Sequence, residues 1–453
     1  MKKQNKVLAF LLIFILCLTA CSKSVKIDET KKEVKKDNNL KGTISITADK
    51  NWIPYYEKII KKIIKENPDA KINIKEISAF EVLNVLNTDM LNPDAPDVFA
   101  FPLDKFSSLY TKNILAPIPS EKIANKLGGF ENFDKGLAGN VKINNEYYGF
   151  PFNLETLISY VNTKNAKSEK IDLNKKIEFT KLNDKDNILL PIYEGWYAAA
   201  LNNAGNINLL NLDGGKFTSD YAIEYKNLDK NKKQVFDAIF NYWKKHDESG
   251  SGLLNPKTSY KYISKNFSTE KKGVVMIDGP WATSINKTLS NEINKGNVNV
   301  YPLSNTTIFN KTLSHWKSGW ALGINSRIED KKEEKKLAIK LIEEIINPKN
   351  AIELYKYTGK ILENVSYKTY EESDLTKNDK EIIKNVIDSY SESKQKPLFR
   401  EYGEVWEIWK TSILSWNSIK PKTSEEAYKE LNNSFSSLIK KLNTERMNKF
   451  KLK

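Results

Sequence analysis

Between residues 41 and 101 the hydrophobic period switches four times. Residues 41–47 (KGTISIT) alternate polar and apolar, which predicts a strand. Residues 52–65 carry Ile53, Tyr56, Ile59, Ile60, Ile63 and Ile64 at helical spacing, and Asn67-Pro68-Asp69 ends that helix. A second strand is expected over 70–77 (AKINIKEI), a second helix over 81–90 and a short apolar strand over 97–101 (DVFAF). Strands that alternate with helices imply an α/β unit with a mostly parallel sheet. Ligands of such sheets bind at the carboxyl ends of the strands.

The second half is mixed as well, with long helices expected over 332–346 and 425–442. At 453 residues the chain exceeds one typical domain, and 40% hydrophobic with 11% aromatic residues supplies a large core. Two cysteines and two histidines exclude a disulfide scaffold and a Cys/His zinc centre. Only His246 and His315 are available to a histidine-based triad. No phosphate-binding glycine loop, dinucleotide fingerprint or HExxH segment is present. The formal charge of +15 comes from lysines scattered along the chain. Arginines are few and form no arginine–aromatic stripe, so nucleic acid is not the expected partner.

Residues 1–21 (MKKQNKVLAFLLIFILCLTAC) read as a lipoprotein signal. Lys2, Lys3 and Lys6 precede an apolar run from Val7 to Leu18, which is too short for a membrane span. Leu18-Thr19-Ala20-Cys21 resembles a bacterial lipobox, with Cys21 as the lipidated mature N-terminus. The alternative is an uncleaved anchor with an incidental cysteine. Residues 21–40 are polar and highly charged and are expected to form a flexible tether.

Several segments together resemble the extracellular solute-binding proteins of ABC importers, in the maltose- and maltodextrin-binding branch. They are Pro96-Asp97-Val98-Phe99-Ala100-Phe101 with Asp104-Lys105-Phe106, then Ile114-Leu115-Ala116-Pro117-Ile118, and Tyr147-Tyr148-Gly149-Phe150-Pro151 with Leu154-Glu155-Thr156-Leu157. Phe267 followed by Lys272-Gly273-Val274-Val275-Met276-Ile277-Asp278-Gly279-Pro280-Trp281 is the most distinctive match. Ser318-Gly319-Trp320-Ala321-Leu322-Gly323-Ile324-Asn325 resembles the return strand. The resemblance implies a two-lobed α/β fold of the periplasmic-binding-protein type that bends at a hinge. Lobe one would hold 41–152 and 318–362, and lobe two 153–317 and 363–453. It further implies a monomer without cofactor or metal, not an enzyme. Such a protein is anchored by lipid at the extracytoplasmic face of the cell membrane, with an oligosaccharide as ligand and permease subunits as partners.

A sugar presents C–H faces and a rim of hydroxyls, so its site combines aromatic planes with carboxylates, amides and cations. By resemblance, Asp49, Lys50, Phe101, Asp104, Lys105 and Glu155 contact ligand from one lobe. Glu194, Trp196, Trp281 and Trp406 do so from the other. Lys105 stands where the family carries Arg, Phe101 where it carries Trp, and Gly195-Trp196 where it carries Pro-Tyr. Trp281 and Trp196 admit a packing role instead. Trp406 and Trp409 share one helical face, and one of them is expected in the core. Asp49-Lys50 admits a surface ion pair or helix-start carboxylate. Two other functions stay open on residues alone. One is a glycoside hydrolase using two of Asp49, Asp104, Glu155 and Glu194. The other is a binder of another solute, such as a different sugar, a peptide, a polyamine or iron, the last through Tyr147-Tyr148.

Overall fold

Strand β1 (Gly42–Ala48) enters the core with five consecutive buried residues, and α1 (Ile53–Glu66) returns along it. A computed structural model of the chain describes residues 39–88, 92, 95–268, 272–397 and 399–451. The signal segment, Cys21 and the tether up to residue 38 lie outside the described residues. Helix α1 buries Tyr55, Tyr56, Ile59, Ile60 and Ile63, the face its apolar spacing sets. Pro54 lies in its first turn, where a missing N–H costs nothing. Then follow β2 (Ala70–Glu76), α2 (Glu81–Thr88) and β3 (Val98–Pro102), whose five residues are all buried.

The chain continues through β4 (Phe150–Glu155), β5 (Ile158–Asn162), β6 (Ile188–Leu189), α3 (Gly195–Ala204), α4 (Lys230–Glu248), α5 (Ser259–Ser268), β7 (Val275–Asp278) and β8 (Val298–Pro302). It ends with β9 (Trp316–Ile324), α6 (Lys332–Ile345), α7 (Lys377–Ser391), β10 (Lys394–Gln395), α8 (Glu404–Ile419) and α9 (Ser424–Lys451).

Two sheets organise these elements. The first has the order β10–β9–β3–β1–β2, with β4 also paired to β9. Strand β1 is parallel to β2 and to β3, whereas β9 is antiparallel to β3 and β4. The expected mostly parallel sheet is therefore mixed: β1, β2 and β3 run parallel, β9 runs antiparallel to β3 and β4, and the short β10 runs parallel to β9. The second sheet has the order β8–β5–β7–β6. There β7 is parallel to β6, and β5 is antiparallel to β7 and β8. Helices α1 and α6 pack together on the first sheet, where Tyr55 donates to the Ile345 carbonyl at 2.6 Å. Helix α8 packs on α3, and α9 packs on α4 and α8.

Helix α7 touches strands of both sheets. Its Ser389 hydroxyl accepts from Leu303 N at 2.8 Å, and Tyr390 donates to Glu363 at 3.2 Å. Strands β4 and β5 are joined by Thr156-Leu157 alone, so one short crossing links the sheets. Among the described residues no helix is long and apolar enough to cross a membrane.

Candidate ligand-binding cleft

The parallel strands of both sheets end toward one cavity of about 980 Å³. Beyond β3 a single 3₁₀ turn presents Asp104 and Lys105, which pair at 3.2 Å. Beyond β7 come Gly279, Pro280 and Trp281, and beyond β6 the chain reaches Glu194 and the start of α3. The carboxyl ends of parallel strands thus supply polar groups from one sheet and aromatics from the other.

Of the ten expected contact residues, seven line this cavity: Asp104, Lys105, Glu155, Glu194, Trp196, Trp281 and Trp406. Asp49 is half-buried and does not line the cavity, so that expected contact is not met. It accepts from Ala79 N at 3.3 Å, burial raises its carboxyl, and the charge of Lys360 opposes that rise. Two further expectations are corrected. Phe101 is fully buried in β3, its ring beside Gly149 and Gly323, and it has no face to offer a ligand. All five residues of β3 are buried, so both faces of the strand are covered and the ring at 101 packs in the core. Lys50 is exposed in the turn after β1 and does not line the cavity. The pair resolves likewise: Trp406 lines the cavity, and Trp409 is fully buried and donates to the Ile192 carbonyl at 2.9 Å.

The aromatic side is built by close approaches. An added Cβ at Gly279 would lie 2.1 Å from the Trp281 ring, so the indole folds over that glycine. An added Cβ at Gly195 would lie 2.7 Å from Trp406 Cε3, which accounts for glycine where the family carries proline. Trp196 and Trp406 meet edge to face at 6.4 Å, and Tyr402 supports Trp406 at 5.5 Å. Behind them His315 Nε2 donates to the Trp196 carbonyl at 2.7 Å, and burial lowers its pKa to about 4. Glu194 pairs with Lys410 of α8 at 3.1 Å.

Sequence reasoning left several lining residues without a role. Trp320 donates to both Glu155 oxygens at 2.9 Å, and Lys360 sits 4.1 Å from its ring centre. Burial raises Glu155 and lowers Lys360, and each partly offsets the other through its charge. Phe80 is 61% exposed, lines the cavity and meets Trp320 edge to face at 5.5 Å. Asp278 accepts from Tyr197 and from Gly279 N, both at 2.8 Å, and burial pushes its carboxyl up to about 6. Trp320 and Asp278 lie inside the 318–325 and 272–281 segments that resemble the family, so their position was legible and their function was not. Phe80 and Lys360 gave no signal, because their places depend on how the chain returns to the cleft.

Other candidates fall away from the cavity. His246 is buried beside Ser251, with its pKa lowered to about 4 by burial, so it and His315 serve packing. Tyr147 is buried and donates to Asp134. Tyr148 donates to Glu146 at 3.0 Å. These two phenols serve local hydrogen bonds.

Residues 58–383 match the bacterial extracellular solute-binding protein family. Over 423 residues the chain is 25% identical to the maltodextrin-binding protein MdxE of Bacillus subtilis (strain 168), spanning 92% of this chain and 93% of that one. The fold is similar to that of the maltose-binding periplasmic protein MalE of Listeria monocytogenes in complex with maltose. The TM-score is 0.64 at 21% identity, over 88% of this chain and 98% of that one. MalX from Streptococcus pneumoniae, in complex with maltopentaose, gives a TM-score of 0.64 at 20% identity, over 88% of this chain and 100% of that one. The two-lobed α/β fold expected from the sequence is the fold of these structures.

Proposed function

We propose, on the premise that this chain belongs to the bacterial extracellular solute-binding proteins, that it captures a maltodextrin-type oligosaccharide and delivers it to an ABC importer. One observation carries this reading: Trp196, Trp281, Trp320 and Trp406 share a single cavity with Asp104, Glu155 and Glu194. Indole planes take the C–H faces of sugar rings, and carboxylates accept from the hydroxyls between them. The maltose and maltopentaose bound by the similar structures, and the maltodextrin-binding role of the relative, support the same class.

The main strands of the two sheets guide the division into lobes, with β10 and the first two residues of β9 pairing beside the crossings. We place the first crossing just after Glu155, three residues later than the sequence expectation, because β4 pairs with β9 through that residue. Lobe one then holds 41–155 and 318–362, and lobe two the remainder. Bound sugar bridges both lobes and shifts the population toward the closed form, which the permease recognises. Lipid on Cys21 holds the monomer at the outer face of the membrane. The chain binds without chemistry, its carboxylates serving as hydrogen-bond acceptors.

A thermal-shift panel tests the ligand class. Maltotriose and longer glucans at a hundredfold excess over Kd are expected to stabilise the protein by about 3 kcal/mol, with unrelated oligosaccharides inert. Chromatography after incubation should return the sugar intact. Shorter glucans released by the protein would replace the binding reading with hydrolysis.

A further inference from the structure

Lys396 is 8% exposed, the most enclosed lysine beside the cleft. It directly follows β10, which pairs with the start of β9. Its neighbour Lys394 donates to the Asn203 carbonyl at 3.0 Å. Among the described residues the Lys396 ammonium has no hydrogen-bond or ion-pair partner. It lies 5.7 Å from the centre of the Trp406 ring. The charges that act on it are those of Asp104, which favours the ammonium, and Lys105, which opposes it. Trp406, Asp104 and Lys105 all line the cavity.

Most of this side chain is enclosed, and no protein group among the described residues accepts from its ammonium, so a bound acceptor would have only water to displace. An aromatic face offers the ammonium electrostatic attraction but accepts none of its three N–H donors. An oxygen placed there would meet a donor that no described protein group has taken. The position beside Trp406 gives the missing partner its chemistry: oxygen atoms on the rim of a ring that lies against the indole. Asp104 already opposes the local positive charge, so neutral hydroxyls fit here and an anion is not required.

We infer that Lys396 is a specificity-determining ligand contact, donating to hydroxyl oxygens of the sugar unit bound against Trp406. The inference rests on the oligosaccharide reading above and deepens it by assigning a donor to one end of the cleft. The test uses calorimetric titration of the full chain with maltotriose and maltopentaose, together with melting temperatures measured without ligand. Lys396→Met is expected to lose at least tenfold in affinity while melting at or near the wild-type temperature, because no described protein group pairs with the ammonium it removes. Lys396→Gln keeps a neutral donor and is expected to stay within about threefold of wild type.

Affinity unchanged in Lys396→Met overturns the inference and leaves the oligosaccharide reading standing. So does an equal loss in both variants, which assigns the effect to something other than donation. A Lys396→Met protein that melts lower, or does not fold, gives Lys396 a packing role and overturns it too. A wild-type chain that binds no maltodextrin overturns the reading and this inference with it.

Discussion

Trp281 owes its place to Gly279. Its ring lies where any Cβ on that residue would sit, 2.1–2.4 Å away. Gly279→Ala should therefore turn the indole out of the cleft and cost at least tenfold in sugar affinity, read by titration, with the far-ultraviolet spectrum intact. Trp281→Ala should match it. If Gly279→Ala binds normally, the indole is not the stacking surface.

Asp278 makes a pH prediction. Its carboxyl is raised to about 6 by burial, whereas an unfolded aspartate titrates near 4. Between those values the folded state holds the extra proton, so this group's contribution falls as pH rises through about 6. Asp278→Asn should stabilise the protein by about 2 kcal/mol at pH 7.5, with the gain vanishing toward pH 4. A gain that does not vary with pH would remove the burial argument. The motif around residue 278 was readable in sequence. The carboxylate's partner, Tyr197, was not, because it arrives from α3, 81 residues away.

Helix α8 shows how one element divides its work. Trp409 is fully buried, whereas Trp406, one turn earlier, lines the cavity. Trp409→Ala should cost about 3–5 kcal/mol of stability. Trp406→Ala should cost little stability and most of the affinity, as denaturant melts and titrations of both variants will tell. Similar stability losses in the two would mean that Trp406 is also core. Spacing placed the two tryptophans on one face, but the choice between them needed α3, where Gly195 lets Trp406 approach. Strand β9 hid more. Its SGWALGIN run was readable as a strand, yet its pairing with β4 brings Trp320 and Glu155 together. That register comes from residues 165 apart, which no local pattern encodes. Phe101 failed for the converse reason. It matched a family position, but β3 is buried on both faces and its ring packs in the core.

At the scale of the molecule, two α/β sheets meet through short crossings, with α7 packed on both. The early strand–helix alternation made the first sheet legible, while the antiparallel β9 and the short strands of the second sheet gave weaker signals. Two buried histidines add an acid limit. Each has its pKa lowered to about 4 by burial, so each contributes stability above about 6.5 that is lost as pH falls toward 4. His246→Gln and His315→Gln should each flatten that acid slope in pH-dependent melts, and an unchanged slope would show that carboxylates set the limit.

The claim on which the rest depends is that the tryptophan-lined cleft holds an oligosaccharide. Tryptophan fluorescence of the full chain, titrated with maltotriose, reads it directly, since four of the nine tryptophans line that cavity. A saturable change at about micromolar sugar, abolished in Trp281→Ala and Glu194→Ala, is the predicted result. A response that survives both substitutions, or no response to any glucan, would contradict the account.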